Sequence, residues 1–180
     1  HKEYRRQRQM CIRDSYNGGA GMFFPEEWKR LIEILKPEEQ EDVIYSYHKK
    51  LFHSDEGEQT KFARAWTEWE SALATMGSKN TGGITPAAYA RAFARIENHY
   101  FINKGFLNKD DIILSNMYKI DQIPGTIIHG RYDMICPPLS AFKLHNAWEA
   151  SKLHIIKNAG HSLSEEGISS ALVSVMDNLI

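Results

Sequence analysis

The chain has 180 residues, the length of one domain or of one domain carrying an insertion. Its 22 basic and 23 acidic residues nearly cancel, and no stretch is basic enough to suggest a nucleic-acid or membrane surface. No apolar run approaches the roughly 20 residues that span a bilayer. The two cysteines, Cys11 and Cys136, are far apart without a CxxC pattern, which favours a reducing, cytoplasmic setting.

Residues 1–15, HKEYRRQRQMCIRDS, carry neither a signal-peptide apolar region nor an initiator methionine. The cluster Arg5, Arg6 and Arg8 is short and has no aromatic platform beside it. RRQRQMCIRDS resembles translated adapter sequence. The segment is expected to be non-native or disordered, with the natural protein resuming near Tyr16 and its upstream part missing.

From Phe24 to about Met117 the pattern is helical. Pro25-Glu26-Glu27 suits a helix first turn, where proline loses no hydrogen bond and acids face the positive end of the dipole. Trp28, Leu31, Ile32 and Leu35 follow at helical spacing. Pro37 opens a second helix with Val43, Ile44, Tyr47 and Leu51 on one face, and residues 54–57 read as a turn. A third helix is expected over about 59–76, striped by Phe62, Ala65, Trp66, Trp69 and Leu73. A loop spans 78–83. A fourth helix starts at Pro86, and a short fifth is expected over 110–117.

After Ile120 the pattern becomes strand, loop, helix, strand, loop, helix. Residues 124–129 form a short buried strand, 138–150 a crossover helix and 152–157 a second strand. Ser162-Leu-Ser-Glu165 fits a capping box, which would start a last helix carrying Ile168, Leu172, Val175, Met176 and Leu179. The fold class is therefore α/β: a helical layer, then two βα units of a parallel sheet. Two strands alone do not make a covered parallel sheet, so their neighbours are expected in upstream sequence.

The candidate chemistry lies in the two loops. Asp133 follows the first strand and Gly130; His161 follows the second strand and Gly160. Parallel strands deliver both loops to one sheet edge, where open α/β folds place their ligands. An acid there can hold the tautomer of an imidazole that acts as a base. The alternative is that Asp133 caps the next helix and His161 is an ordinary loop residue. No serine stands in a glycine-rich elbow. Cys136, close to a carboxylate, reads as a packed structural thiol. The other histidines, among them His129 and His145, show no metal-ligand spacing, and no metal or cofactor is expected. Trp28 and Trp148 read as core.

GRYDMICP and NAGHSLSEEGI look like the C-terminal end of α/β-hydrolases, specifically of prolyl aminopeptidases (proline iminopeptidases). YNGGAGMFFPEEW is similar to that family's entry into its helical cap, and AWTEWESAL and ARIENHYF resemble two further cap motifs. The likeness covers residues 16–180. It implies a helical cap domain over 16–117 and the C-terminal part of the hydrolase core, its last two βα units, over 118–180. It implies Asp133 and His161 as triad acid and base, with the serine and the oxyanion-hole loop further upstream. It also implies that Glu70 and Glu97 grip a protonated proline amine, with Phe101 as an aromatic wall and Tyr16 lining the same pocket. Trp66 and Glu70 share a helix face, as do Glu97 and Phe101; spacing alone favours reading the two acids as solvated helix charges.

The expected function is that of a serine exopeptidase releasing N-terminal proline from peptides, in a fragment that would be inactive alone. Its partner is a peptide substrate, with no nucleic acid or membrane; the sequence is silent on oligomeric state. The rivals are another α/β-hydrolase, such as an esterase or epoxide hydrolase, and a non-catalytic hydrolase-like binding protein.

Overall fold

The structure is a computed structural model that describes residues 19–77, 83–109 and 111–178. It divides into two compact units, His1–Ala72 with Lys79–Leu107 and Leu73–Ser78 with Asn108–Ile180.

The first unit is helical. A short 3-10 turn at Ala20–Met22 leads into α1 (Pro25–Glu33), then a 3-10 segment at Pro37–Asp42 and α2 (Val43–Leu51). α3 spans Glu56–Ala74, its last residues falling in the second unit, and α4 spans Ala87–Ile102. The turn expected at 54–57 is half helix. Asp55 ends it by accepting the Glu58 N–H at 2.7 Å, so Glu56 and Gly57 already belong to α3.

Aromatic side chains form the core of this unit. Trp28 meets Trp69 edge-on at 5.4 Å, and Tyr47 meets Phe62 at 5.5 Å and Trp66 at 5.4 Å. Each of these large side chains, fully buried, is worth roughly 1.5–3 kcal/mol of apolar burial. Two buried polar side chains of this core are paired, while Trp69 Nε1 has no hydrogen-bond partner among the described residues. Tyr47 donates its hydroxyl to Leu31 O at 2.7 Å, and burial raises its pKa. Fully buried Asn98 on α4 donates to Ile44 O at 3.0 Å and accepts from His48 Nδ1 at 2.8 Å, joining α4 to α2.

The second unit carries a 3-10 segment at Leu114–Lys119, where a fifth helix was expected, then β1 (Gly125–Gly130), α5 (Pro138–Ala147), β2 (Ser151–Ile156) and α6 (Glu166–Asp177). β1 and β2 pair in parallel, Gly125 opposite Ser151 and Gly130 opposite Ile156. Among the described residues this is the whole sheet. α5 stops before Trp148, which is not a helix-face residue. Its indole donates to Ile123 O at 2.8 Å and its ring lies where a Cβ on Gly125 would sit. The chain is thus α/β with a small parallel sheet, and among its described residues no helix is long and apolar enough to cross a membrane.

Candidate active site

β1 and β2 end side by side, so the loops after Gly130 and Ile156 leave the sheet at one edge. Their backbones are knitted together: Arg131 N–H donates to Ile156 O and Tyr132 N–H to Ala159 O, both at 2.9 Å. Gly130 permits this. A Cβ there would lie 1.9 Å from Gly160 O and 2.6 Å from Ala159 O, both main-chain atoms that no rotamer change can move aside.

Asp133, only 5% exposed, stands in the first loop. Its Oδ2 accepts from His161 Nδ1 at 2.9 Å. Its Oδ1 accepts from the backbone N–H groups of Ile135 at 3.0 Å and Cys136 at 2.7 Å. His129, on β1, donates Nε2–H to Cys136 O at 2.7 Å and lies 3.4 Å from Asp133 Oδ2. Burial works to raise the Asp133 pKa. The hydrogen bonds from His161 and the Cys136 amide, with the nearby charges of His161 and His129, outweigh it and hold the carboxyl below the usual carboxylate range. Asp133 does not cap α5: the residue before that helix is Pro137, without a side-chain cap.

Because Oδ2 accepts, Nδ1 of His161 carries the hydrogen, and in the neutral ring Nε2 is the basic nitrogen. The His161 side chain is 41% exposed against 4% for Asp133. A buried acid therefore fixes the tautomer of an accessible imidazole, the arrangement a general base needs.

The histidine's loop is itself anchored. The amides of His161 and Ser162 both donate to Ala74 O, at 2.9 and 2.8 Å. Glu165 accepts from Gly160 N–H through Oε2 at 3.0 Å and from Met76 N–H through Oε1 at 2.7 Å. The capping box expected at 162–165 therefore does not form. α6 begins at Glu166 with no side-chain cap, because the Glu165 carboxylate is engaged by amides outside the helix. Ser162 Oγ instead pairs with Ser164 Oγ at 2.7 Å.

A second cluster lies in the helical unit. Glu97 Oε2 on α4 accepts from Trp66 Nε1 on α3 at 2.7 Å, and Phe101 packs against Trp66 at 5.9 Å. Glu70, one turn beyond Trp66, is 3% exposed, and its Oε1 has no hydrogen-bond partner among the described residues. Burial, and then the Glu97 charge, push its pKa well above the ordinary glutamate value. Two acids beside a tryptophan and a phenylalanine can accept a cation with an apolar body.

No family model matches the chain. It is similar to curated proteins over almost its whole length. It is 40% identical over 167 residues to a probable proline iminopeptidase of Leptolyngbya boryana, covering 92% of this chain and 52% of that protein. It is 42% identical over 161 residues to a proline iminopeptidase of Arabidopsis thaliana, covering 88% and 42%. It is 40% identical over 164 residues to that of Xanthomonas citri, covering 90% and 52%. The chain is a relative of the proline iminopeptidases. It spans about half the length of the curated relatives it matches.

Within this relative of the proline iminopeptidases, the structure brings Asp133 to His161 and gathers Glu97 and Phe101 about Trp66, with Glu70 feeling the Glu97 charge. Tyr16 lies outside the described residues, as do residues 1–15. Cys136, expected to be packed, is exposed, with its backbone tied to the site through the amide on Asp133 Oδ1 and the carbonyl facing His129. Among the described residues no group of three histidine, cysteine or acidic side chains is placed to hold a metal ion. Two residues of the site had no signal of their own. His129 is a lone histidine in an apolar strand, and Glu165 was read as a helix cap.

Proposed function

We propose that the full-length protein containing this chain is a serine exopeptidase that releases N-terminal proline from peptides. The observation that carries the reading is the 2.9 Å bond from His161 Nδ1 to the Oδ2 of buried Asp133, at the shared edge of two parallel strands. The names of the relatives support the substrate. We assign residues 118–180 to the C-terminal part of an α/β-hydrolase core and residues 16–117 to its helical cap. The nucleophilic serine and the oxyanion donors come from sequence outside this chain.

His161 Nε2 takes the proton from the serine hydroxyl as its oxygen bonds to the carbonyl carbon of the first residue. Asp133 stabilises the imidazolium that results. The same proton passes to the leaving peptide nitrogen as the carbon–nitrogen bond breaks, leaving a prolyl ester. Water, deprotonated by His161, then attacks that ester, and the serine recovers its proton as proline departs. Glu70 and Glu97 neutralise the pyrrolidinium, Phe101 packs on its ring, and Tyr16 completes the pocket. The exposed thiol of Cys136 fits a reducing cytoplasm.

A substrate comparison in the full-length enzyme tests the reading. Prolyl amides are cleaved in preference to simple esters, and Glu70→Ala or Glu97→Ala lowers kcat/KM on the prolyl amide by about 10- to 100-fold, the loss expected for a charge-assisted contact. Equal turnover of simple esters, with both variants behaving as wild type, would point to another hydrolase of this fold.

A further inference from the structure

We propose that Glu165 is a positioning residue for the histidine: its carboxylate fastens the loop before His161 to the segment after α3 and so fixes where the imidazole meets Asp133. The inference rests on the assignment of His161 as the base. Each Glu165 oxygen accepts one main-chain N–H, from Gly160 at 3.0 Å and from Met76 at 2.7 Å. The Ala74 carbonyl completes the anchor by accepting the amides of His161 and Ser162. Three consecutive amides, 160 to 162, are therefore held by two acceptors. Gly160 fits the tight space: a Cβ there would come within 3.2 Å of both Ala74 O and Glu165 Oε1.

The residue chemistry is specific. A carboxylate offers acceptors on both oxygens, and both are used. Glutamine has the same length but only one acceptor, and its NH2 would face an amide N–H, donor against donor. Alanine removes both bonds. Helix capping does not account for the residue, since α6 has no side-chain cap. The His161 ring is held at Nδ1 by Asp133 and at the backbone by this anchor. Releasing the backbone lets the ring drift from the geometry in which Nε2 can take a proton, and misplacement of about 1 Å can cost on the order of 100-fold in rate.

The test compares wild type, Glu165→Gln and Glu165→Ala in the full-length enzyme. Two readouts are taken: steady-state kinetics on a prolyl amide, and the proton NMR resonance of the His161 Nδ1–H, identified by its loss in His161→Ala. Expected for Glu165→Ala is a fall in kcat of about tenfold or more, with KM within about twofold, and a shifted or broadened Nδ1–H resonance. Glu165→Gln falls between Ala and wild type. Folded variants with wild-type kcat and an unmoved resonance overturn the proposal, since a purely stabilising bond would leave both untouched. If Glu165→Ala does not fold, the isosteric Glu165→Gln decides by the same criteria. If wild type fails to cleave the prolyl amide, the exopeptidase reading falls, and the resonance alone decides the role of Glu165.

Discussion

Two buried carboxyl groups in this chain are pushed in opposite directions, and the difference lies in their partners. Asp133 is surrounded by donors, two backbone amides and a histidine, so it stays ionised despite burial. Glu70 is equally inaccessible but has an oxygen with no partner among the described residues and a second acid nearby, so burial and then the Glu97 charge raise its pKa well above the ordinary glutamate value. For Glu70 the folded-state pKa exceeds the unfolded value. Between those two values the native state binds more protons, and stability falls as pH rises. Glu70→Gln is therefore expected to flatten this part of the pH–stability curve, removing a slope of up to about 1.4 kcal/mol per pH unit above pH ~4.5. It should also raise the melting temperature of the substrate-free protein at neutral pH. Calorimetry across pH 4–8 checks it; a parallel shift of the curve with unchanged slope would show that Glu70 is not a buried acid.

The elements matter here for where their ends fall. β1 and β2 are short, but parallel register brings Gly130 beside Ile156, and everything in the acid–histidine site follows from that coincidence. Gly130→Ala would set a methyl group 1.9 Å from a backbone oxygen of the facing loop. The two loops must separate, so the substitution is expected to destabilise the fold by about 2–3 kcal/mol or more and to break the Asp133–His161 bond. Denaturant titration measures the first effect and the Nδ1–H resonance the second; a stable variant with that resonance intact would remove Gly130 from the account. This part of the site was readable before any coordinates, because an apolar run, a glycine and an acid, then an apolar run, a glycine and a histidine, specify loops at one sheet edge. Other parts were not. S-x-x-E before an apolar run has two physical outcomes, a helix cap or a glutamate free to bind other amides, and only the position of Met76 and Gly160 selects the second. His129 sits in a strand whose periodicity says nothing about polar partners. Helical spacing placed Glu70 on the Trp66 face but could not say that this face is sealed. The segments at 37–42 and 114–119 follow the helical pattern yet wind as 3-10 turns, a distinction too small for apolar periodicity to register.

At the scale of the molecule the chain holds two kinds of chemistry in two units: an acid–histidine pair beside the small parallel sheet and an acid–aromatic cluster among the helices. In the proposed enzyme the first transfers protons and the second selects a protonated amine. Both sets of side chains are held by contacts within their own unit. The most direct measurement is the rate at which the full-length enzyme cleaves a prolyl amide before and after His161→Ala. A base with this geometry predicts hydrolysis by wild type and a loss of about 10⁴-fold or more in kcat for the variant, with the fold intact. Undiminished hydrolysis by folded His161→Ala would contradict it.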